Sequence, residues 1–220
     1  KTYSTKIHLE GSKICKGCGG DKRSLKYFNK YFEGSYLKSF LVNYYGKRYY
    51  KILKNENIKI LNLTTFQREF MINEGFNEKK LFVFPNLIKL EKYNKIESSS
   101  YILYAGRISN EKGINELIDT FSSLKTNYKL LIIGDGPEAK KLKNKKIKNV
   151  KFLGELTHEE TLSYINNAKA VITNTKLYEG QPTLLCEASL LKIPSIFPDN
   201  GGIKEFFPKD YELKFNHNDK

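Results

Sequence analysis

The stretch YILYAGRISNEKGINELIDTFSSLKTNYKLLIIGDGPE, residues 101–138, decides the fold. It opens with an apolar run that stops at Gly106. Ile114, Leu117, Ile118 and Phe121 then recur at helical spacing, which gives a helix one apolar face. A second apolar run, YKLLII, ends in the glycines of GDG. Strand, helix and strand in this order form a βαβ unit. The strands are apolar throughout rather than alternating, as expected when both faces of a parallel sheet are covered.

The same rhythm continues downstream. PEAKKLKN is a short helix with Pro137 suited to its first turn. VKFLGE is a third strand. THEETLSYINNA opens with Thr157 and Glu160, the T-x-x-E of a capping box. KAVITNT is a fourth strand, PTLLCEASLLK a helix and PSIFPD a fifth strand. The expected fold is α/β, a doubly wound, Rossmann-like parallel sheet with its ligand crevice at the carboxyl ends of the strands.

Upstream, residues 35–54 form a long helix dense in aromatics and lysines. Tyr36, Phe40, Tyr44 and Tyr45 recur at near-helical spacing and are expected in a core. IKILNLT is a strand, TFQREFMINEG a helix ending at Gly75, and LFVFPN another strand. These elements read as the last third of a second α/β domain. The expected division is residues 1–86 as that domain's remnant, 87–100 as a polar, serine-ended linker, and 101–220 as the ligand-binding domain.

Hydrophobic residues make up 40% of the 220, enough for a packed core. The net charge of +14 is uneven. Residues 1–95 carry 20 Lys+Arg against 8 Asp+Glu, a net of +12; residues 96–220 carry 18 against 16, a net of +2. The first part could therefore attract nucleic acid, anionic lipid or a phosphorylated substrate. Cys15 and Cys18 form a C-x-x-C, and Cys186 stands alone as a core thiol. An odd cysteine count without a leader-like segment points to a reducing, cytoplasmic setting. No apolar run approaches the roughly 20 residues of a membrane span. The ends, KTYSTKIHLEG and NHNDK, read as cuts within a longer chain.

Three stretches can carry chemistry. In GRISNEKG, residues 106–113, Arg107 and Lys112 lie between a strand end and a helix start. Arg suits bidentate phosphate recognition and Lys supplies a point charge; a solvated turn is the plain alternative. In GDGPE, Gly134 and Gly136 either let a ligand approach the backbone or make a tight turn. In LYEGQPTLLCEAS, residues 177–189, Glu179 and Glu187 have seven residues between them. Pro182 fits a first helical turn, so the amides of Thr183 and Leu184 lead into the crevice, where a helix terminus favours phosphate. Glu187 lies about one turn further, on the side of Thr183. A carboxylate among Leu184, Leu185, Cys186 and Ala188 is tolerable when hydrogen-bonded, for example by a sugar diol. A metal site lacks ligands: Cys15 and Cys18 have no second pair, and His8, His158 and His217 are scattered.

Taken together, AGRISNEKGI, KLLIIGDGPE, VKFLGELTHEE, NTKLYEGQPTLLCEASLLKIPSI and GGIKEFF resemble the family-4, or group 1, glycosyltransferases of GT-B architecture. The resemblance is strong over residues 101 to about 208 and weaker upstream, where TTFQREFMINEGF and KKLFVFPN look like the end of the family's acceptor domain. It implies transfer of a sugar from a nucleotide-diphosphate donor to a glycan or lipid-linked acceptor, with retention and without a metal or other cofactor, in surface polysaccharide biosynthesis. By the resemblance, Glu187 binds the ribose hydroxyls and Glu179 touches the sugar near its anomeric centre. Arg107 and Lys112 hold the diphosphate and stabilise its departing charge. Backbone groups of Gln181, Pro182, Thr183 and Leu184, beside Gly180, meet phosphate and sugar. Leu156 presents its backbone to the base, while Gly106, Gly134 and Gly136 line the nucleotide side. The family's glycine-rich loop and crevice histidine have no counterpart here, and His8 does not replace the histidine. Some relatives carry further cysteines after a C-x-x-C; KYFEGS has none, so no metal-bound subdomain is expected.

The implied location is cytoplasmic, peripheral at the inner face of the plasma membrane through the basic first part. Two alternatives from other classes stay open: a basic nucleic-acid-binding protein, for which no reader module is present, and a non-catalytic nucleotide-sugar-binding fragment.

Overall fold

The computed structural model describes residues 9–10, 13–14, 36–55, 57–90, 93, 100–145 and 147–216. The chain divides into two compact units, Lys1–Pro85 and Asn86–Lys220.

In the second unit, six parallel strands form one sheet: β5 (Tyr101–Ala105), β6 (Lys129–Ile133), β7 (Val150–Gly154), β8 (Ala170–Ile172), β9 (Ser195–Pro198) and β10 (Lys214–Phe215). Their order is β10-β9-β8-β5-β6-β7. The chain winds outward from β5 in one direction, returns to β8 on its other side, and winds outward again. This is the doubly wound order, and the gap between the ends of β5 and β8 is its switch point, where such sheets bind ligands.

Strand residues alternate between two apolar clusters. Tyr101, Leu103, Leu131 and Ile133 face Leu162 and Ile165 of α5 (His158–Asn167) and Leu185 and Ala188 of α6 (Thr183–Leu190). On the other face, Tyr104, Leu130 and Ile132 meet Ile114, Leu117, Ile118 and Phe121 of α3 (Ile114–Ser123) and Leu142 of α4 (Ala139–Lys143). The period of two in the strands thus joins two helical layers through one sheet. Each large apolar side chain fully buried here contributes on the order of 2 kcal/mol. The lysines of α4 are exposed while its Ala139 and Leu142 are buried, so that lysine run is a solvated helix face.

Two readings of the sequence change. Strand β10 adds a sixth strand to the five expected; it pairs with β9 through two residues only, too few to leave an apolar run. Asn86, assigned to the first domain, and the described residues 87–90 and 93, assigned to a linker, belong with the second unit: Leu90 and Tyr93 pack against its core, and Asn86 is tied to Gln181.

In the first unit, β1 (Leu9–Glu10) and β2 (Lys13–Ile14) pair antiparallel, while β3 (Ile60–Asn62) and β4 (Leu81–Val83) pair in parallel around α2 (Thr65–Asn73). Thr64 caps α2 by accepting from the Gln67 amide at 3.2 Å. Helix α1 (Tyr36–Asn55) makes described packing at its end, where Tyr50 meets Phe76 edge-on at 4.8 Å and Lys54 lies over both rings. Phe40, Tyr44 and Tyr45 do not form the expected core: they are exposed, with Tyr44 meeting both of the other rings, while the Tyr36 side chain lies outside the described residues. Cys15, Cys18, His8 and His217 lie outside the described residues. Among the described residues, no helix is long and apolar enough to cross a membrane.

Candidate functional site

The sequence-expected residues cluster where the second unit's strands end. The loops there are zipped together by backbone hydrogen bonds. Gly106 N–H donates to Ile133 at 3.0 Å, Ile108 N–H to Asp135 at 2.9 Å, and Gly134 N–H to Gly154 at 2.7 Å. A Cβ on Gly134 would lie 2.1 Å from the Gly106 carbonyl oxygen. Glycine there is demanded by the neighbouring loop, a cause the sequence reading did not separate from ligand approach.

Gly106, Arg107, Gly134 and Gly136 line a depression of about 520 Å³ together with Asp135 and Glu155. Arg107 is exposed; its carbonyl accepts from the Tyr104 hydroxyl at 2.8 Å. Burial first, then the Glu179 and Glu111 charges, hold the Tyr104 phenol above its ordinary pKa, so it stays a donor.

Lys112 ends a single helical turn, and Gly113 follows in the left-handed region at φ 66°. A side chain at Gly113 would collide with the Asn174 carbonyl, 2.0 Å from the added Cβ. Asn174 Nδ2 in turn donates to the Gly113 carbonyl at 2.9 Å. These contacts lock the loop after β5 to the loop after β8, and they bring the Lys112 ammonium onto Oε1 of Glu179. The same oxygen accepts from the Thr175 hydroxyl at 2.9 Å. The Leu177 amide donates to that hydroxyl at 3.2 Å, which fixes its lone pair inward and its proton toward Glu179. Gly202 N–H donates to the Glu179 carbonyl at 2.9 Å, so the backbone of Glu179 is held as well. An ion pair with both side chains about a quarter exposed adds only about 1 kcal/mol or less; its effect is placement.

Helix α6 begins at Thr183, with Pro182 at the cap rather than inside the first turn. The Leu185 and Cys186 amides both bond the Pro182 carbonyl at 3.1 Å. The Thr183 and Leu184 amides precede the helical ladder, where an anion can meet them. Gln181 has its side chain engaged: Nε2 donates to the Asn86 carbonyl at 3.0 Å and Oε1 accepts from the Asn86 amide at 2.6 Å. Cys186 is half-buried, and burial is the main cause that raises its thiol pKa, so it is a poor nucleophile. Leu156 packs its side chain on the core beside α5.

Glu187 is not among the residues lining the Arg107 depression. Its carboxylate is 13% exposed and lies 2.9 Å from Nε2 of His158, the first residue of α5. The expected charged residues therefore fall into three groups: Arg107 with the glycines, Lys112 with Glu179, and Glu187 on α6 with His158. Thr175, Asn174 and His158 were missed. Only the box residues Thr157 and Glu160, which fix where α5 starts, pointed in the direction of His158.

Comparison with known proteins supplies the family. Residues 86–215 match the model of "Glycosyl transferases group 1". TuaC of Bacillus subtilis, a glycosyltransferase named for teichuronic acid biosynthesis, is 32% identical over 111 residues, which cover 50% of this chain and 28% of TuaC. The amylovoran biosynthesis glycosyltransferase AmsD of Erwinia amylovora is 26% identical over 174 residues, 73% of this chain and 49% of AmsD. The chain thus spans half or less of the length of these relatives. Among solved structures, Anabaena HepE in complex with UDP-glucose superposes with a TM-score of 0.68 at 16% identity, over 78% of this chain and 54% of that one. The parallel sheet is that of GT-B glycosyltransferase structures. By its matched residues, which make up more than half of its length, this chain belongs to the group 1 glycosyltransferases.

Proposed function

We propose that the protein to which this chain belongs transfers a sugar from a nucleoside-diphosphate sugar to a glycan or lipid-linked acceptor in surface polysaccharide biosynthesis. The observation that carries this reading is the meeting of Lys112 and Glu179 across the switch point, on loops that follow β5 and β8. The names of TuaC and AmsD support polysaccharide biosynthesis, and the UDP-glucose in HepE supports the donor class.

In this reading the diphosphate lies between Arg107, Lys112 and the first amides of α6. Departure of the nucleoside diphosphate builds negative charge, and preset cations with a helix terminus stabilise it. Glu179, held by Lys112 and Thr175, faces the sugar near its anomeric carbon. Glu187 accepts from the ribose hydroxyls. These protein charges support a metal-independent reaction, and the family resemblance supports retention of configuration. The units at 1–85 and 86–220 then correspond to the end of an acceptor domain and to a donor domain. The basic first part supports peripheral contact with an anionic membrane at the cytoplasmic face, each nearby Lys or Arg contributing about 1 kcal/mol.

The test is calorimetric titration of UDP, GDP and ADP into the chain and into Glu187→Ala. At least one nucleotide is expected to bind the parent, and the variant should bind it at least tenfold more weakly. Equal binding by both, or no binding to the parent, sinks the site assignment. One observation favours a second reading: the exposed rings of α1 stand beside Arg48 and Lys51, a surface that could stack on nucleic acid. Steeply salt-dependent RNA or DNA binding, indifferent to Arg107→Ala, would select it. Sugar transfer by the longer protein would exclude a binding-only module.

A further inference from the structure

Glu187 has three side-chain torsions and sits on a helix whose other anchors are apolar. Its neighbours Leu185 and Ala188 are fully buried, and they share a core with Leu162 and Ile165 of α5. The packing of α5 on α6 is therefore set by hydrocarbon, and it leaves the carboxylate itself undirected. A carboxylate only 13% exposed needs hydrogen-bond donors, or it carries a desolvation penalty. Among the described residues its polar partner is His158, with Nε2 at 2.9 Å from Oε1. A carboxylate only accepts, so the ring nitrogen facing it carries the hydrogen.

The backbone that carries the imidazole is itself fixed. Thr157 adopts an extended backbone at the cap of α5 and accepts from the Glu160 amide at 3.2 Å. The Glu160 carboxylate returns to the Thr157 amide at 2.8 Å. This capping box fixes the first turn, and His158 is that turn's first residue.

We propose that His158 is a positioning residue that presents Glu187 to the ribose diol of the donor. One N–H occupies one lone pair of Oε1. Oε2 and the rest of Oε1 remain to accept from the two adjacent hydroxyls. This inference rests on the reading that Glu187 meets the ribose. It goes further by making discrimination between ribose and deoxyribose depend on a residue of a different helix.

The experiment compares affinities for UDP, GDP and ADP with those for their 2′-deoxy counterparts, in the parent, His158→Ala, His158→Gln and Glu187→Ala. Circular dichroism checks that each variant is folded. The parent should prefer the ribonucleotide. His158→Ala should lose about tenfold in ribonucleotide affinity, the worth of one oriented hydrogen bond, and its preference for ribose should collapse toward unity. His158→Gln, whose amide N–H reaches to about the position of Nε2, should restore most of that preference. An unchanged or tighter affinity in His158→Ala overturns the proposal; tighter binding would mean that the imidazole competes with the diol. Equal binding by parent and Glu187→Ala is a different failure: it removes the ribose-site reading, and the role of His158 falls with it.

Discussion

The two units treat apolar residues differently. In the second, every strand residue of β6 after Lys129 is buried, and the helices of both faces share those side chains between two clusters. In the first, Leu37, Phe40, Leu41, Tyr44, Tyr45 and Tyr49 of α1 are all exposed. Both stretches carry apolar side chains, leucine and isoleucine in β6 and mostly aromatic rings in α1; among the described residues, those of β6 lie in a sheet with helices on both faces. An apolar pattern tells where a side chain could be buried, and burial follows only where a sheet wide enough lies beneath it.

The sharpest way to break this contrast is to remove equal side chains from both regions. Ile118→Ala should cost about 3 kcal/mol, because its site is fully buried and closely packed. Leu37→Ala, at a residue 70% exposed, should change stability by no more than about 0.5 kcal/mol. Urea unfolding midpoints read both, and similar losses would contradict the layer argument.

A smaller effect is expected where the crevice loops interlock. Gly113→Ala places a Cβ against the Asn174 carbonyl in left-handed backbone and should cost about 2 kcal/mol. It should also weaken nucleoside-diphosphate binding, because Lys112 would leave Glu179. Retained stability with retained affinity would show that the loops are not locked at this point.

The smallest effect is electrostatic. Hydrogen bonds from the Thr157 backbone, then from its side chain, hold the exposed Glu160 carboxyl below its ordinary value of 4.5. A group lowered in the folded state stabilises at pH above its unfolded value, and that contribution is lost as pH falls through the folded one. Glu160→Gln keeps a capping acceptor without a charge. Its melting near pH 7 should therefore be slightly lower than the parent's, and the two should converge as pH falls below about 4.5, which makes the variant's acid limb the shallower one. Superimposable acid limbs would remove the capping box as a source of charge-dependent stability.

The sheet of the second unit was legible because continuous apolar runs and glycine-ended strands repeat from residue 101 onward. Five strands and the capping box at Thr157 were readable from spacing alone. The sixth strand was not, since two edge residues leave no periodicity. Single site residues were readable by type, and their pairing was not. Nothing local in GRISNEKG says that Lys112 will stand on Glu179, because strand order, not sequence distance, brings them together. His158 was dismissed as one of three scattered histidines for the same reason. Gln181 was expected to offer its backbone, and the structure adds a side-chain tie to Asn86, which the sequence reading had placed at the end of the other domain.

Strand β8 pairs with β5 although all of β6, β7 and three helices intervene in the chain. In kinetic terms this is the costly contact of the domain, because a long loop must close before any pairing is gained. Lys112 and Glu179 lie just beyond those two strands, so the crevice exists only once this closure is complete. A nucleotide that binds there, as proposed, would sense whether the whole sheet has formed. Mass action would raise apparent stability by about 2.7 kcal/mol at a hundredfold excess over Kd, and the domain would then be most protected from proteolysis when the proposed donor is abundant.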